Sequence, residues 1–275
     1  MKPGEKPLYL CAGTQSSGST LISWCFLQRQ DMDGVLDARG DILPQIPHTI
    51  SAPNVWCKTT INCFRMREMI QYFEDEGWTV RPLLVVRDVR AVWNSLSKKS
   101  YGRNGTTAEE PPLRIRMRRF KEDWELFSER GWPMLKYEAF VSEAEKALRE
   151  LCAKMGLPWD EGMLIWKKGK EEIAAAVHGN ATFRETRGGS LAETVNPSLV
   201  ALKTDNIAPG DLRWLEKQFA DFNSEMGYPP RAEVSKQFSD PNARAVPSWE
   251  NTRRYLKRNK KWRLLKTIRE MWGRA

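Results

Sequence analysis

The 275 residues suffice for one large α/β domain or two small ones. Hydrophobic residues make up 41% of the chain, yet no apolar run approaches the ~20 residues of a membrane span. The net charge of +9 resides wholly in residues 251–275, where ten Lys/Arg face the single acid Glu270. The balanced remainder excludes a uniformly basic, nucleic-acid-binding body, so no specific nucleic-acid partner is expected.

The polar start, Met1 to Pro7, has no apolar signal-peptide core. Five cysteines (Cys11, Cys25, Cys57, Cys63, Cys152) form no C-x-x-C pair, and only His48 and His178 are available to join them. Reduced thiols, a cytoplasmic location and no metal are the expectation.

Leu8–Ala12 predicts a first strand, and Ser19–Arg29 a helix behind it. The intervening turn, Gly13-Thr14-Gln15-Ser16-Ser17-Gly18-Ser19-Thr20, is a phosphate-binding loop without its lysine. Such a turn aims backbone N–H groups, with a helix dipole behind them, at one point. Ser19 stands where nucleotide triphosphatases carry lysine, so a phosphorylated nucleotide is expected without ATP hydrolysis.

Val55–Thr60 predicts a second strand and Phe64–Glu76 a helix that stops at Gly77. Val80–Val86 is the clearest strand; it ends at Arg87-Asp88, where Asp88 is placed to cap a helix running to about Lys99. A charged helix over Leu113–Arg130, a strand at Pro133–Tyr137 and helices at Ser142–Met155 and Leu212–Met226 complete the body. This alternation predicts a parallel α/β sheet flanked by helices. Residues 231–248 read as a linker. In the last segment Trp262, Leu265, Ile268 and Trp272 recur at helical spacing opposite Lys and Arg. A basic amphipathic helix suits an anionic membrane surface, a polyanionic acceptor such as a sulfated glycan, non-specific contact with nucleic acid, or docking on the body through its apolar stripe.

Arg87 lies at the carboxyl end of its strand, the edge where open α/β sheets bind ligands. Its guanidinium suits a phosphate, and Ser95 lies about two helical turns further on. The residues alone also allow Arg87 to pair with Asp88 or Glu138.

Four segments, in order across residues 8–190, resemble the sulfotransferases that use 3′-phosphoadenosine 5′-phosphosulfate (PAPS). Gly13-x4-Gly18-Ser19-Thr20-Leu21-Ile22 resembles their 5′-phosphosulfate loop, and Arg87-Asp88-Val89-Arg90-x4-Ser95 their 3′-phosphate motif. Tyr137-Glu138, with Ala147-Leu148 and Leu157-Pro158-Trp159, is similar to a stretch of bacterial members. His178-Gly179-Asn180-x-x-Phe183-Arg184 resembles their G-N-x-x-R loop.

The resemblance implies a three-layer P-loop-type fold over residues 1–230, with residues 231–275 as linker and basic C-terminal helix. It implies transfer of a sulfuryl group from PAPS to a hydroxyl or amine of a small-molecule, carbohydrate or lipid acceptor, leaving 3′-phosphoadenosine 5′-phosphate (PAP). Ser16, Ser17, Gly18, Ser19 and Thr20 would hold the 5′ end, Arg87, Ser95 and Arg184 the 3′-phosphate, and Tyr137 the adenine ring, with Asn180 also binding the nucleotide. Ser16 replaces a basic residue of the family's loop, and Lys58 is the expected substitute, with an ordinary surface lysine as the alternative. Counting nineteen residues from Gly18 assigns Asp37 as the base, as in tyrosylprotein sulfotransferases, against a loop Asp paired with Arg39. Asp41 and His178 are the fallbacks. Trp24 and Trp93 are candidates for stacking or core. A P-loop small-molecule kinase and a non-catalytic nucleotide-binding or membrane-docking protein are the rival readings.

Overall fold

The computed structural model describes residues 6–38, 44–47, 49–61, 64–97, 112–169, 172, 189–195 and 207–231. Two compact units divide the chain, Met1–Lys236 and Gln237–Ala275, and every described residue belongs to the first. The expected basic C-terminal helix lies outside the described residues, as do Asp41, His178, Asn180 and Arg184.

Five parallel strands form one sheet in the order β2-β3-β1-β4-β5. They are β1 (Pro7–Gly13), β2 (Met32–Val35), β3 (Asn54–Lys58), β4 (Thr79–Val86) and β5 (Met134–Lys136). The flanking helices include α1 (Ser19–Leu27), α2 (Met66–Asp75), α3 (Val89–Ser97), α4 (Pro112–Arg130), α5 (Tyr137–Ser142) and α6 (Ala144–Met155). The short α7 (Leu191–Thr194), then α8 (Pro209–Gln218) and α9 (Ala220–Glu225), follow.

Leu8 to Ala12 are all buried, because β1 sits in mid-sheet with β3 on one side and β4 on the other. An apolar run without alternation is what a strand covered on both faces requires. Phe26 of α1 stacks on Trp56 of β3 with ring centroids 4.3 Å apart, fixing the first helix to the sheet. In α6 the buried residues are Ala147, Leu148, Leu151, Cys152 and Met155, and the helix closes at left-handed Gly156, as its spacing predicts.

Three features depart from the sequence reading, the first being that the single helix expected over Leu212–Met226 is two, α8 and α9, parted at Phe219. Met32–Val35 forms an edge strand, although Asp33 and Gly34 weaken its strand signal. Gly34 is required there, since a Cβ would overlap the Trp56 backbone of β3. The segment after β5 begins a separate short helix, α5, immediately at Tyr137.

The chain passes from β1 to β2 and β3 on one side, then crosses to β4 and β5 on the other. Order reverses at the carboxyl end of β1, the crevice in which open α/β sheets bind ligands.

Candidate functional site

The loop that follows β1 occupies this crevice. Ser16 has φ 67° and Gly18 φ 88°, so two left-handed residues fold the turn back on itself. Gly18 also yields space: a Cβ there would overlap the ring of Tyr137. The first α1 bond runs from Ile22 N–H to the Gly18 carbonyl at 3.2 Å. The amides of Ser19 and Thr20 therefore precede any intrahelical partner and stand at the positive end of the helix.

Ser16 is the meeting point of the predicted phosphate residues. Its carbonyl accepts from Arg87 Nη1 at 2.7 Å, and its hydroxyl accepts from the Ser95 hydroxyl at 2.9 Å. The guanidinium of Arg87 also lies 4.4 Å from the centroid of the Tyr137 ring, the same ring that covers Gly18. Strand end, loop, α3 and α5 are thereby joined through four of the predicted residues.

The alternative partners for Arg87 are otherwise engaged. Asp88 accepts from Arg90 Nε at 2.8 Å and Nη2 at 2.7 Å. Glu138 accepts from the Asp88 amide at 3.0 Å and from the Tyr228 hydroxyl at 2.7 Å. Within the Arg-Asp-x-Arg motif the two arginines thus divide: Arg87 turns to the loop and Arg90 to the interior. Fully buried, Arg90 additionally donates to Glu216 at 3.0 Å and to the Pro229 carbonyl at 2.6 Å. The strand-end position singled out Arg87 in the sequence; the inward turn of Arg90 toward the distant Glu216 is visible only in the fold.

Lys58 and Asp37 form an ion pair, Nζ to Oδ1 at 2.5 Å, and Lys58 also donates to Thr60 Oγ1 at 3.2 Å. Lys58 is 4% exposed, so it is not an ordinary surface lysine. The main chain after β3 runs alongside the loop: Thr59 N–H donates to the Cys11 carbonyl and Ile61 N–H to the Gly13 carbonyl. Both proposed catalytic residues therefore come together, beside the crevice, from two adjacent strand ends.

Other expectations need revision. The Ser17 hydroxyl does not face outward. It is buried and tucked where Gly13 lacks a side chain, with no hydrogen-bond partner among the described residues, and the Ser17 amide donates to the Thr14 carbonyl. Left-handed Ser16 directs the chain inward here, which residue types alone do not reveal. For Trp24 and Trp93 the core alternative holds: Trp24 packs edge-on to Trp166 and Trp93 against Trp214. Sequence reasoning also missed Arg116 of α4, which donates to Gln15 Oε1 at 3.2 Å. Its only signal was a run of arginines on a helix.

Cys11, Cys25, Cys57 and Cys152 are free and buried. Burial pushes the Cys11 thiol up to about 12, so it is a packing residue rather than a nucleophile. Among the described residues no group of three His, Cys, Asp or Glu is placed to hold a metal ion, and no helix is long and apolar enough to cross a membrane.

A sulfotransferase domain from the Synechococcus PCC 7002 olefin synthase superposes on this architecture with TM-score 0.57, covering 83% of this chain and 98% of that domain at 13% identity. The chain has the sulfotransferase fold. A sulfotransferase domain from the curacin biosynthetic pathway gives the same TM-score at 14% identity, covering 82% of this chain and 99% of its own. The sequence matches no protein-family profile and no curated protein. Shared P-loop-type architecture, rather than sequence, relates this chain to other sulfotransferase folds.

Proposed function

We propose that the chain is a sulfotransferase that moves the sulfuryl group of PAPS to a hydroxyl or amine acceptor, releasing PAP. The observation that carries this reading is the convergence of Arg87 and Ser95 on Ser16 of the loop. A nucleotide with phosphate at both its 3′ and 5′ positions needs two phosphate-binding elements side by side. The donors suit such a ligand: helix-end amides, hydroxyls, a guanidinium, and a loop turned at left-handed Gly18 against the Tyr137 ring.

In this reading Arg87 and Ser95 hold the 3′-phosphate, while the amides and hydroxyls of Ser19 and Thr20 hold the 5′ end. Tyr137 borders the adenine, and Asn180 and Arg184 contribute from outside the described residues. Sulfuryl transfer demands alignment and charge stabilisation more than covalent help. Asp37 accepts the acceptor's proton as its oxygen or nitrogen attacks sulfur in line. As the bond from sulfur to the phosphate oxygen breaks, the electron pair stays on that oxygen, and Lys58 neutralises the charge. Their ion pair makes base and cation one unit, so either substitution disturbs both.

The acceptor is a small molecule, carbohydrate or lipid. The basic sequence 251–275 suits peripheral attachment to an anionic membrane that would present a lipid acceptor to a cytoplasmic enzyme.

Donor labelled with ³⁵S, incubated with panels of these acceptors, tests the reaction. We expect transfer of label that falls about 10²–10⁴-fold in Asp37→Asn. Intact nucleotide binding with no transfer to any acceptor class would leave a nucleotide-binding protein instead.

A further inference from the structure

We propose that Tyr228 is a positioning residue for the 3′-phosphate site: through Glu138 it fixes the backbone at Asp88 and so aims Arg87. The inference rests on the sulfotransferase reading and extends it to a residue outside every motif.

The need is geometric. A guanidinium meets a phosphate bidentately only when the backbone that carries it is held in place, and small misplacements are costly. Strands β4 and β5 pair in parallel as far as Val86 and Lys136, where β5 ends. Beyond that point the two chains stay in step through side chains. The Tyr137 ring lies against the Arg87 guanidinium, and the Glu138 carboxylate accepts from the Asp88 amide at 3.0 Å. Arg87 is therefore held on both flanks, by a strand pair before it and by a carboxylate after it.

Glu138 needs an anchor of its own. It stands in α5, a helix of six residues, too short to be stable by itself. The Tyr228 hydroxyl supplies the anchor, donating to Glu138 Oε2 at 2.7 Å. Tyr228 is buried, and burial together with the Glu138 charge pushes its hydroxyl up, so it keeps its proton and donates. The segment around it, just after α9, takes two more bonds from the same region. Lys136 Nζ donates to the Met226 carbonyl at 2.7 Å, and Arg90 Nη1 to the Pro229 carbonyl at 2.6 Å. Lys136 Nζ also lies 4.3 Å from the centroid of the Tyr228 ring. Residues 226–229 thus close on Lys136, Glu138 and Arg90 together, on either side of the position that carries Arg87.

Calorimetric titration of the full chain with PAP and with AMP reads the effect, because only PAP carries a 3′-phosphate. Tyr228→Phe removes the hydroxyl and keeps the ring against Phe222 and Lys136. It should weaken PAP about ten-fold. AMP should stay within about two-fold, which also shows that the variant is folded. Glu138→Ala should weaken PAP at least as much. Adding Tyr228→Phe to Glu138→Ala should change PAP affinity no further, since both act through one contact. Equal losses for both nucleotides, no loss for either, or losses that add in the double variant overturn the role of Tyr228 while the sulfotransferase reading stands. If the wild-type chain binds neither nucleotide, or both alike, that reading fails and this inference fails with it.

Discussion

Gly18 and Arg87 make the most exacting demands on residue type. Gly18 combines a φ of 88° with a ring pressed against the place its side chain would take. Gly18→Ala should cost about 1–3 kcal/mol of stability, measured by denaturant titration, and remove nucleotide binding with it. A stable variant with unchanged affinity would mean that the loop is not the binding element. At this scale the sequence was informative where a position requires one residue type, as with the two loop glycines and with Arg87 at a strand end. It was silent on orientation. Ser16, Ser17 and Ser19 look alike in a string of letters. Backbone torsion turns one hydroxyl toward Ser95 and another under Gly13. The Lys58–Asp37 pair was half legible: both residues stood out, but their contact needed the register that sets Cys57 of β3 beside Val35 of β2.

Among the elements, α4 and α3 each carry a buried polar commitment. In α4, Asp123 accepts from the Met66 amide at the start of α2 at 2.9 Å, while its second oxygen has no hydrogen-bond partner among the described residues. Burial holds this carboxyl well above its ordinary range, although the Met66 amide pulls the other way. A carboxyl whose proton is bound more tightly in the folded chain gives stability that is complete below its unfolded pKa of about 4. That stability is lost as pH rises through the folded value. Asp123→Asn keeps an acceptor for Met66 and removes the titration. Its melting temperature relative to wild type should therefore climb between pH 4 and pH 7; parallel curves would contradict the assignment. Arg90 is the second test. Replacing it with Met leaves Asp88 and Glu216 buried without their cation and should cost about 3–5 kcal/mol in denaturant unfolding. A loss below about 1 kcal/mol would place the network at the surface energetically. Strands and long helices were legible because burial on two faces, or on one stripe, writes a period into the sequence. The edge strand β2 and the short α5 carry too few residues to write one, and tertiary pairing creates them.

For the whole molecule, the reversal of strand order at β1 brings residues 16, 37, 58, 87 and 95 to one end of the sheet although they span eighty positions of sequence. The expected parallel α/β architecture with helices around it is what the chain adopts, but which strands neighbour one another is a property of the folded sheet alone. The charge distribution makes a separate prediction. With the body balanced and residues 251–275 carrying the net charge of +9, co-sedimentation with anionic phospholipid vesicles should depend on that segment and weaken with salt. Binding that survives removal of residues 237–275 would assign membrane attachment to the body.

The central claim, that one crevice takes both phosphates of a 3′,5′-phosphorylated adenosine, is tested most directly by calorimetry with PAP, AMP and ATP on wild type and Arg87→Ala. Micromolar binding of PAP, at least about ten-fold weaker for AMP and ATP and lost in Arg87→Ala, is the predicted result. Equal affinity for all three nucleotides, or no binding of any, would contradict the account and leave only a shared fold.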